Sequence, residues 1–147
     1  MSFFNSLDIS ASGLTAQRLR MDLISQNIAN ADTTKTEDGT PYRRKVLVFQ
    51  QKSGDRPFSE YLTDAGKAQV GIGGVRVLKV ADDQTPLKKV YDPTHPDADK
   101  DGYVNMPNVN VTTEMINMIS ASRSYEANVS ALNATKSMAL KALEIGK

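Results

Sequence analysis

Residues 112–145 read TTEMINMISASRSYEANVSALNATKSMALKALEI, and the spacing of their apolar side chains decides the fold. Met115, Met118, Ser122, Tyr125, Val129, Leu132, Lys136, Ala139 and Leu143 recur at alternating intervals of three and four, the a/d rhythm of a helix that pairs with another helix. No Gly or Pro interrupts the run from Asn108 to Ile145, so the pattern predicts one helix from about Thr112 to Ile145, about 50 Å long at about 1.5 Å per residue. The matching partner lies at the other end of the chain. There Leu7, Ala11, Leu14, Arg18, Met21, Ser25 and Ile28 keep the same rhythm and predict a helix from about Asn5 to Asn30. Asn5 can cap it, with Asp8 in its first turn, and Asn30 can take the left-handed conformation that often ends a helix.

Between the two helices the chain changes character. All six prolines and seven of the nine glycines fall between Gly39 and Pro107. Tyr42–Gln50, Val75–Ala81 and Leu87–Tyr91 read as short strands, with Gly71-Ile72-Gly73-Gly74 as a turn. The expected fold is therefore α+β: residues 1–33 and 108–147 form a discontinuous, coiled-coil-like helical core, and residues 34–107 a small β-rich central module.

Each helix carries a second apolar row on roughly its opposite side. Ile9, Ala16, Leu19 and Leu23 form it in the first, and Ile116, Ile119, Ala127, Ala131, Ala134, Met138, Ala142 and Ile145 in the last. Pairing through the a/d stripes leaves these rows in water, which forgoes about 1.5 to 3 kcal/mol for each Leu- or Ile-sized group. Two covers are open to them: the central segment of the same chain, or other subunits. A small β-rich module is short cover for two helices of this length, so the pattern favours layers contributed by several subunits. On this reading Leu7, Leu14, Met21, Ile24 and Ile28 face Met118, Tyr125, Val129, Leu132 and Leu143 along the main seam, while Ile9, Leu19, Leu23, Ile116, Ile119 and Met138 contact neighbours. Tyr125 is the best single anchor, because an aromatic ring with a polar tip packs and hydrogen-bonds at once.

Composition removes most alternatives. With 18 Lys+Arg against 17 Asp+Glu the net charge is +1, and no global field draws in nucleic acid or an anionic membrane. The chain has no cysteine, which excludes disulfides, thiolate metal sites and cysteine nucleophiles. Its longest aliphatic or aromatic run, Val46-Leu47-Val48-Phe49, is far short of a membrane span, and Met1–Asp8 has neither the basic nor the apolar region of a cleaved signal. No nucleotide-binding or nucleophile-elbow motif appears, so neither a catalytic site nor a cofactor is expected, nor a small-molecule substrate. Lone His95 sits in a proline-rich loop and reads as a surface residue. Arg43-Arg44-Lys45 is too short a basic run for nucleic acid and reads as a solvated or subunit-facing strand end.

Asp97, Asp99 and Asp101, with Gly102 and Val104, match the first eight positions of a calcium loop. Position 12 is Asn108 instead of a bidentate glutamate, and Pro93, Pro96 and Pro107 deny the loop its flanking helices, so a solvated turn is the plainer reading. Ser25–Thr33 is rich in short amides and hydroxyls; Asn27 and Asn30 can satisfy the last helical carbonyls or bridge to neighbouring chains, with a local helix stop favoured on chemistry alone.

Two of these segments match a known pattern. Ser12-Gly13-Leu14-Thr15-Ala16-Gln17-Arg18-Leu19 through Asn27-Ile28-Ala29-Asn30-Ala31-Asp32-Thr33 resembles the signature of bacterial flagellar rod and hook proteins, and Glu114–Ile119 through Arg123–Asn128 resembles the matching C-terminal end of that family. Tyr91–Asp99, Gly102-Tyr103-Val104 and Met106–Val109 resemble its short proximal-rod members. The resemblance implies a structural subunit of the basal body, in the rod that crosses the periplasm and carries torque toward the hook. It also implies assembly with other rod proteins and copies of itself, export through the flagellar type III apparatus without cleavage, terminal helices that are mobile in the free subunit, and no calcium at the Asp97–Asp101 loop. The rival readings are a calcium-regulated module and a helical-hairpin adaptor or chaperone.

Overall fold

A computed structural model describes residues 3–52 and 73–144. Its elements are α1 (Phe3–Ala29), β1 (Lys45–Gln51), β2 (Val75–Asp82), β3 (Lys88–Tyr91), β4 (Tyr103–Met106) and α2 (Val111–Glu144). The architecture is α+β, with long terminal helices flanking a small β-rich centre. The Gly71-Ile72 part of the expected turn and Ile145 lie outside the described residues.

Both helices differ from expectation at their ends. Helix α1 begins at Phe3, so Asn5 lies inside its first turn and does not cap it, and Asp8 falls beyond that turn. Asn30 ends α1 without a left-handed backbone, since no described non-glycine residue has a positive φ. Its side-chain amide donates to the Gln26 carbonyl at 2.9 Å, and Thr33 Oγ1 donates to its Oδ1 at 3.3 Å, so side-chain bonds join the backbone turn from Ala31 to Ile28 at the end of the helix. Helix α2 is capped by Asn110, whose Oδ1 accepts the Thr113 amide at 3.1 Å.

The helices pair antiparallel, bringing Asn27 to Glu114 at one end and Leu7 to Leu132 and Ala139 toward the other. One half of each periodic stripe is covered: Leu7, Leu14, Met21 and Ile28 in α1, and Met118, Tyr125, Leu132 and Ala139 in α2. The other half is displaced by one residue. Ile24 is buried where Ser25 is exposed, and Glu114 and Ala121 are buried while Met115 is exposed. Val129 remains half-buried, whereas Leu143 is exposed and so lies off the seam. The displacement has a plain cause: Arg18, Ser25 and Lys136 occupy stripe positions that cannot be buried cheaply, while Gly13 and Ala121 allow close approach.

Strands β1 and β2 pair antiparallel from Lys45↔Asp82 to Gln51↔Val75, with Leu78 unopposed where the register shifts at Val48/Phe49. This hairpin packs on α1. A Cβ at Gly74 would overlap Ser12 Oγ and sit 2.9 Å from Ser12 Cβ, and Ser12 Oγ accepts the Val75 amide at 3.1 Å. Gly74→Val should therefore cost about 1 to 3 kcal/mol by forcing the hairpin away from α1, read as a lowered thermal midpoint. Strands β3 and β4 form a second antiparallel pair, Lys88↔Met106 to Tyr91↔Tyr103, which the sequence reading missed at β4. Gly102 turns into β4 with φ 77°, and a Cβ there would lie 2.9 Å from the Tyr91 ring.

The hairpin explains why the second rows of the two helices fare differently. In α1, Ala16 and Leu23 are buried and Ile9 is half-buried, leaving Leu19 exposed. Leu23 is thus covered within the chain and is not a free neighbour-facing residue. In α2, Ile116, Ile119 and Met138 are exposed.

Candidate functional site

Two features of the fold bear on function: a polar clasp where the chain's distant parts meet, and an apolar face that the chain leaves open. The clasp centres on Glu114 and Asn27, each only 1% exposed. Glu114 lies in the first turn of α2. Its Oε1 accepts Arg44 Nη2 at 2.8 Å, Arg44 Nε at 3.0 Å and Asn117 Nδ2 at 3.2 Å, and its Oε2 accepts Asn27 Nδ2 at 3.1 Å. Asn27, in the last turn of α1, also donates to the Lys45 carbonyl at 2.9 Å, while its Oδ1 accepts the Lys45 amide and the Tyr42 hydroxyl, both at 3.0 Å. The amide thus pairs with both backbone groups of a β1 residue as another strand would. Arg44 extends the clasp to the end of β2 through Asp83 at 3.2 Å, and its backbone amide donates to Asn108 Oδ1 at 2.8 Å.

Burial by itself opposes ionisation of Glu114, but hydrogen bonds from Asn27 and Arg44 and the Arg44 charge outweigh it and hold the carboxyl below its usual range. Burial likewise opposes the charge on Arg44, and Glu114, then Asp83, more than offset that. Burial first, then the charges of Asp82 and Glu114, push the Tyr42 hydroxyl up. A carboxyl depressed in the folded state contributes stability that is complete above its unfolded value near 4.5 and is lost as pH falls through the lower folded value. Glu114→Gln removes that component. The gap in urea midpoint between wild type and Glu114→Gln should accordingly be widest near neutral pH and narrow on acidification; a gap independent of pH would show that Glu114 is not the titrating group.

The sequence placed these residues in other roles. Asn27 was expected as a helix stop or an intersubunit contact, and the structure spends all its hydrogen-bonding capacity inside the chain. Arg44 belonged to a short basic run. Glu114 stood beside the stripe residue Met115, and its partner Asn27 is 87 residues away. The one available signal was a pair of polar residues flanking otherwise apolar helix positions.

The open face lies on α2. Ile116, Ile119 and Met138 are between 57% and 67% exposed. A groove of about 470 Å³ runs between the two helices near their free ends, lined by Leu7, Asp8 and Ala11 of α1 and Leu132, Lys136, Ala139 and Leu140 of α2.

The calcium-like loop does not assemble a site. Asp97 accepts Thr34 Oγ1 at 2.8 Å, Asp99 shapes the turn through its backbone, and among the described residues no three acidic or histidine side chains gather as metal ligands. His95 Nδ1 accepts the Asp97 amide at 3.1 Å within that loop. No helix among the described residues is long and apolar enough to cross a membrane.

Comparison with known proteins adds the decisive observation. Residues 7–35 match the family model described as flagella basal body rod protein, and residues 100–145 match the one described as flagellar basal body rod FlgEFG protein C-terminal. The chain is 50% identical to the flagellar basal-body rod protein FlgC of Bacillus subtilis over the full length of both. It is 46% identical to FlgC of Salmonella typhimurium, again with both chains fully covered. With FlgC of Borreliella burgdorferi it shares 48% identity over 99% of this chain and 98% of the other. The chain belongs to the FlgC family of flagellar basal-body rod proteins. It is a structural subunit of the flagellar proximal rod. The matched segments of this FlgC-family chain contain α1 from Leu7 onward and all of α2, so the family signature coincides with the helical pair and with Asn27 and Glu114 at its clasped end.

Proposed function

We propose that this rod subunit works mechanically, transmitting motor torque through side chains buried between subunits, with no bond made or broken and no substrate or cofactor. The observation that carries this reading is the exposed apolar row of α2, Ile116, Ile119 and Met138. Each such group left in water forgoes about 1.5 to 3 kcal/mol, so a second layer of helices is the natural cover. Neighbours are other rod proteins and copies of this chain, which reaches them through the flagellar export apparatus. Residues 1–33 and 108–147 act as the assembly part and 34–107 as the central part. Along the helical seam Leu7, Leu14, Met21, Ile24 and Ile28 work with Met118, Tyr125, Val129 and Leu132. Ile9, Leu19, Ile116, Ile119, Met138 and Leu143 serve contacts to neighbours, while Asn27 and Asn30 act within the subunit.

Side-chain labelling by hydroxyl radicals tests the reading directly. Ile116, Ile119 and Met138 should label readily in the purified chain and at least about tenfold less in isolated basal bodies, because burial between subunits removes them from solvent. Equal labelling in the two states would reject the second layer.

A further inference from the structure

The pairing of β1 with β2 fixes which way the backbone groups on the two hairpin edges point. The Arg44 carbonyl accepts the Asp83 amide, and the Lys52 amide donates to the Gly74 carbonyl, each at 2.7 Å. In an antiparallel pair such residues alternate with ones that turn both N–H and C=O outward. With the register running from Lys45↔Asp82, the outward set is Lys45, Leu47, Phe49 and Gln51 on β1, and it includes Val75, Val80 and Asp82 on β2. Helix α1 uses this set at two corners. Asn27 fills the outward amide and carbonyl of Lys45, and Ser12 Oγ accepts the outward amide of Val75. The helix therefore crosses the hairpin diagonally, from the β2 edge at one end to the β1 edge at the other.

That crossing leaves a stretch of each edge open. Among the described residues no hydrogen bond reaches the outward groups of Leu47 and Phe49 on β1 or of Val80 on β2. Phe49, Val80 and Leu78 are 39%, 47% and 55% exposed, and an uncovered edge flanked by apolar side chains is a template for another strand. Beside the β1 edge lies a cavity of about 370 Å³, walled by Leu23 and Ile24 and edged by Arg20, Arg44 and Lys45. Glu114, the one acid among its described lining residues, is already bonded to Arg44. The β2 edge brings the opposite charge, since Val80 and Asp82 alternate to the same side of the hairpin as Leu47 and Lys45, the side that lines the cavity.

We propose that a second copy of this chain lays its open β2 edge antiparallel along the β1 edge, with its Asp82 opposite Leu47 and its Val80 opposite Phe49. Asn27 stops the new ladder at Lys45, and the incoming Asp82 meets the charges of Arg20 and Lys45. Other edge pairings set like charges together: two β1 edges would join two cationic clusters, and β3 carries Lys88 and Lys89. Because the two edges are different surfaces of one hairpin, the contact is head-to-tail and repeats through an assembly instead of closing a two-fold dimer. It rests on the reading that copies of this chain meet in the rod, and it adds a contact made by backbone to the one made by the α2 face.

The chain has no cysteine, so single thiols test the pairing. Phe49→Cys and Val80→Cys chains, made together in a strain lacking the wild-type chain, should give dimers when isolated basal bodies are treated with a short bismaleimide, and neither variant alone should. Adding Arg20→Glu to the first chain or Asp82→Arg to the second should lower the yield at least about threefold, and combining both should restore it. Absence of dimers from the mixed chains overturns the proposal, as does a yield indifferent to both charge reversals. If Phe49→Cys does not fold, Gln51→Cys with Leu78→Cys, both exposed, takes its place. Side-chain labelling of Ile116 and Ile119 in the same basal bodies separates the two readings. Protection there without dimers removes only the edge pairing, whereas labelling equal to that of the free chain rejects the reading beneath it.

Discussion

Glu114→Ala is expected to lower the unfolding free energy of the free chain by about 3 kcal/mol near neutral pH, the low end of what removing one partner of a buried ion pair costs. Glu114 is 1% exposed and receives bonds from Asn27, Arg44 and Asn117, so truncation leaves three side chains without their common acceptor. The Arg44 side chain is 25% exposed and keeps Asp83, which lets water and a second carboxylate take up part of its charge. That partial rescue sets the expectation at the low end of the range. Against a typical total of about 5 to 15 kcal/mol for a domain, the loss is large. Glu114→Gln keeps an acceptor for Arg44 and should cost less, about 1 to 2 kcal/mol. Urea titration of the three chains measures the series, and a loss below about 1 kcal/mol for the alanine variant would mean that apolar packing alone holds the clasped end.

The helical pair was legible because its signal is periodic and local. Rhythm in residues 7–28 and 115–143, with no proline in either, leaves little room for another fold. The same rhythm misplaced the seam by part of a turn, since periodicity finds an apolar stripe but does not say which flank faces the partner; Arg18 and Lys136 on the stripe were the available warning. Long-range chemistry was not legible. Glu114 reads as a solvated first-turn acid, and only folding shows that Asn27, Tyr42, Arg44 and Glu114 share one buried point. The cover of α1 by the β1–β2 hairpin was likewise hidden, since it depends on Gly74 fitting against Ser12 across 62 residues of sequence. Strand β4 was masked by the acidic residues before it, although Tyr103-Val104 after Asp101-Gly102 carries an ordinary turn-and-strand signal.

The double substitution Ile116→Asp with Ile119→Asp should abolish incorporation into basal bodies and with it swimming, while the free chain keeps its thermal midpoint. Both side chains are more than half exposed, at 62% and 57%, so placing carboxylates there costs the monomer little. In a packed second layer the same carboxylates would be stripped of water without a partner, a penalty of several kcal/mol per ion repeated at every copy. Leu132→Asp behaves differently, because Leu132 is half-buried and lines the groove between the helices. It should lose incorporation and also loosen the helical pair along that groove, leaving the Asn27–Glu114 end and the strands intact. The contrast separates a surface that matters only between subunits from one that also matters within them. Measured as the amount of each variant in purified basal bodies from a strain lacking the wild-type chain, normal incorporation of the double variant would place the load-carrying contacts elsewhere on the subunit.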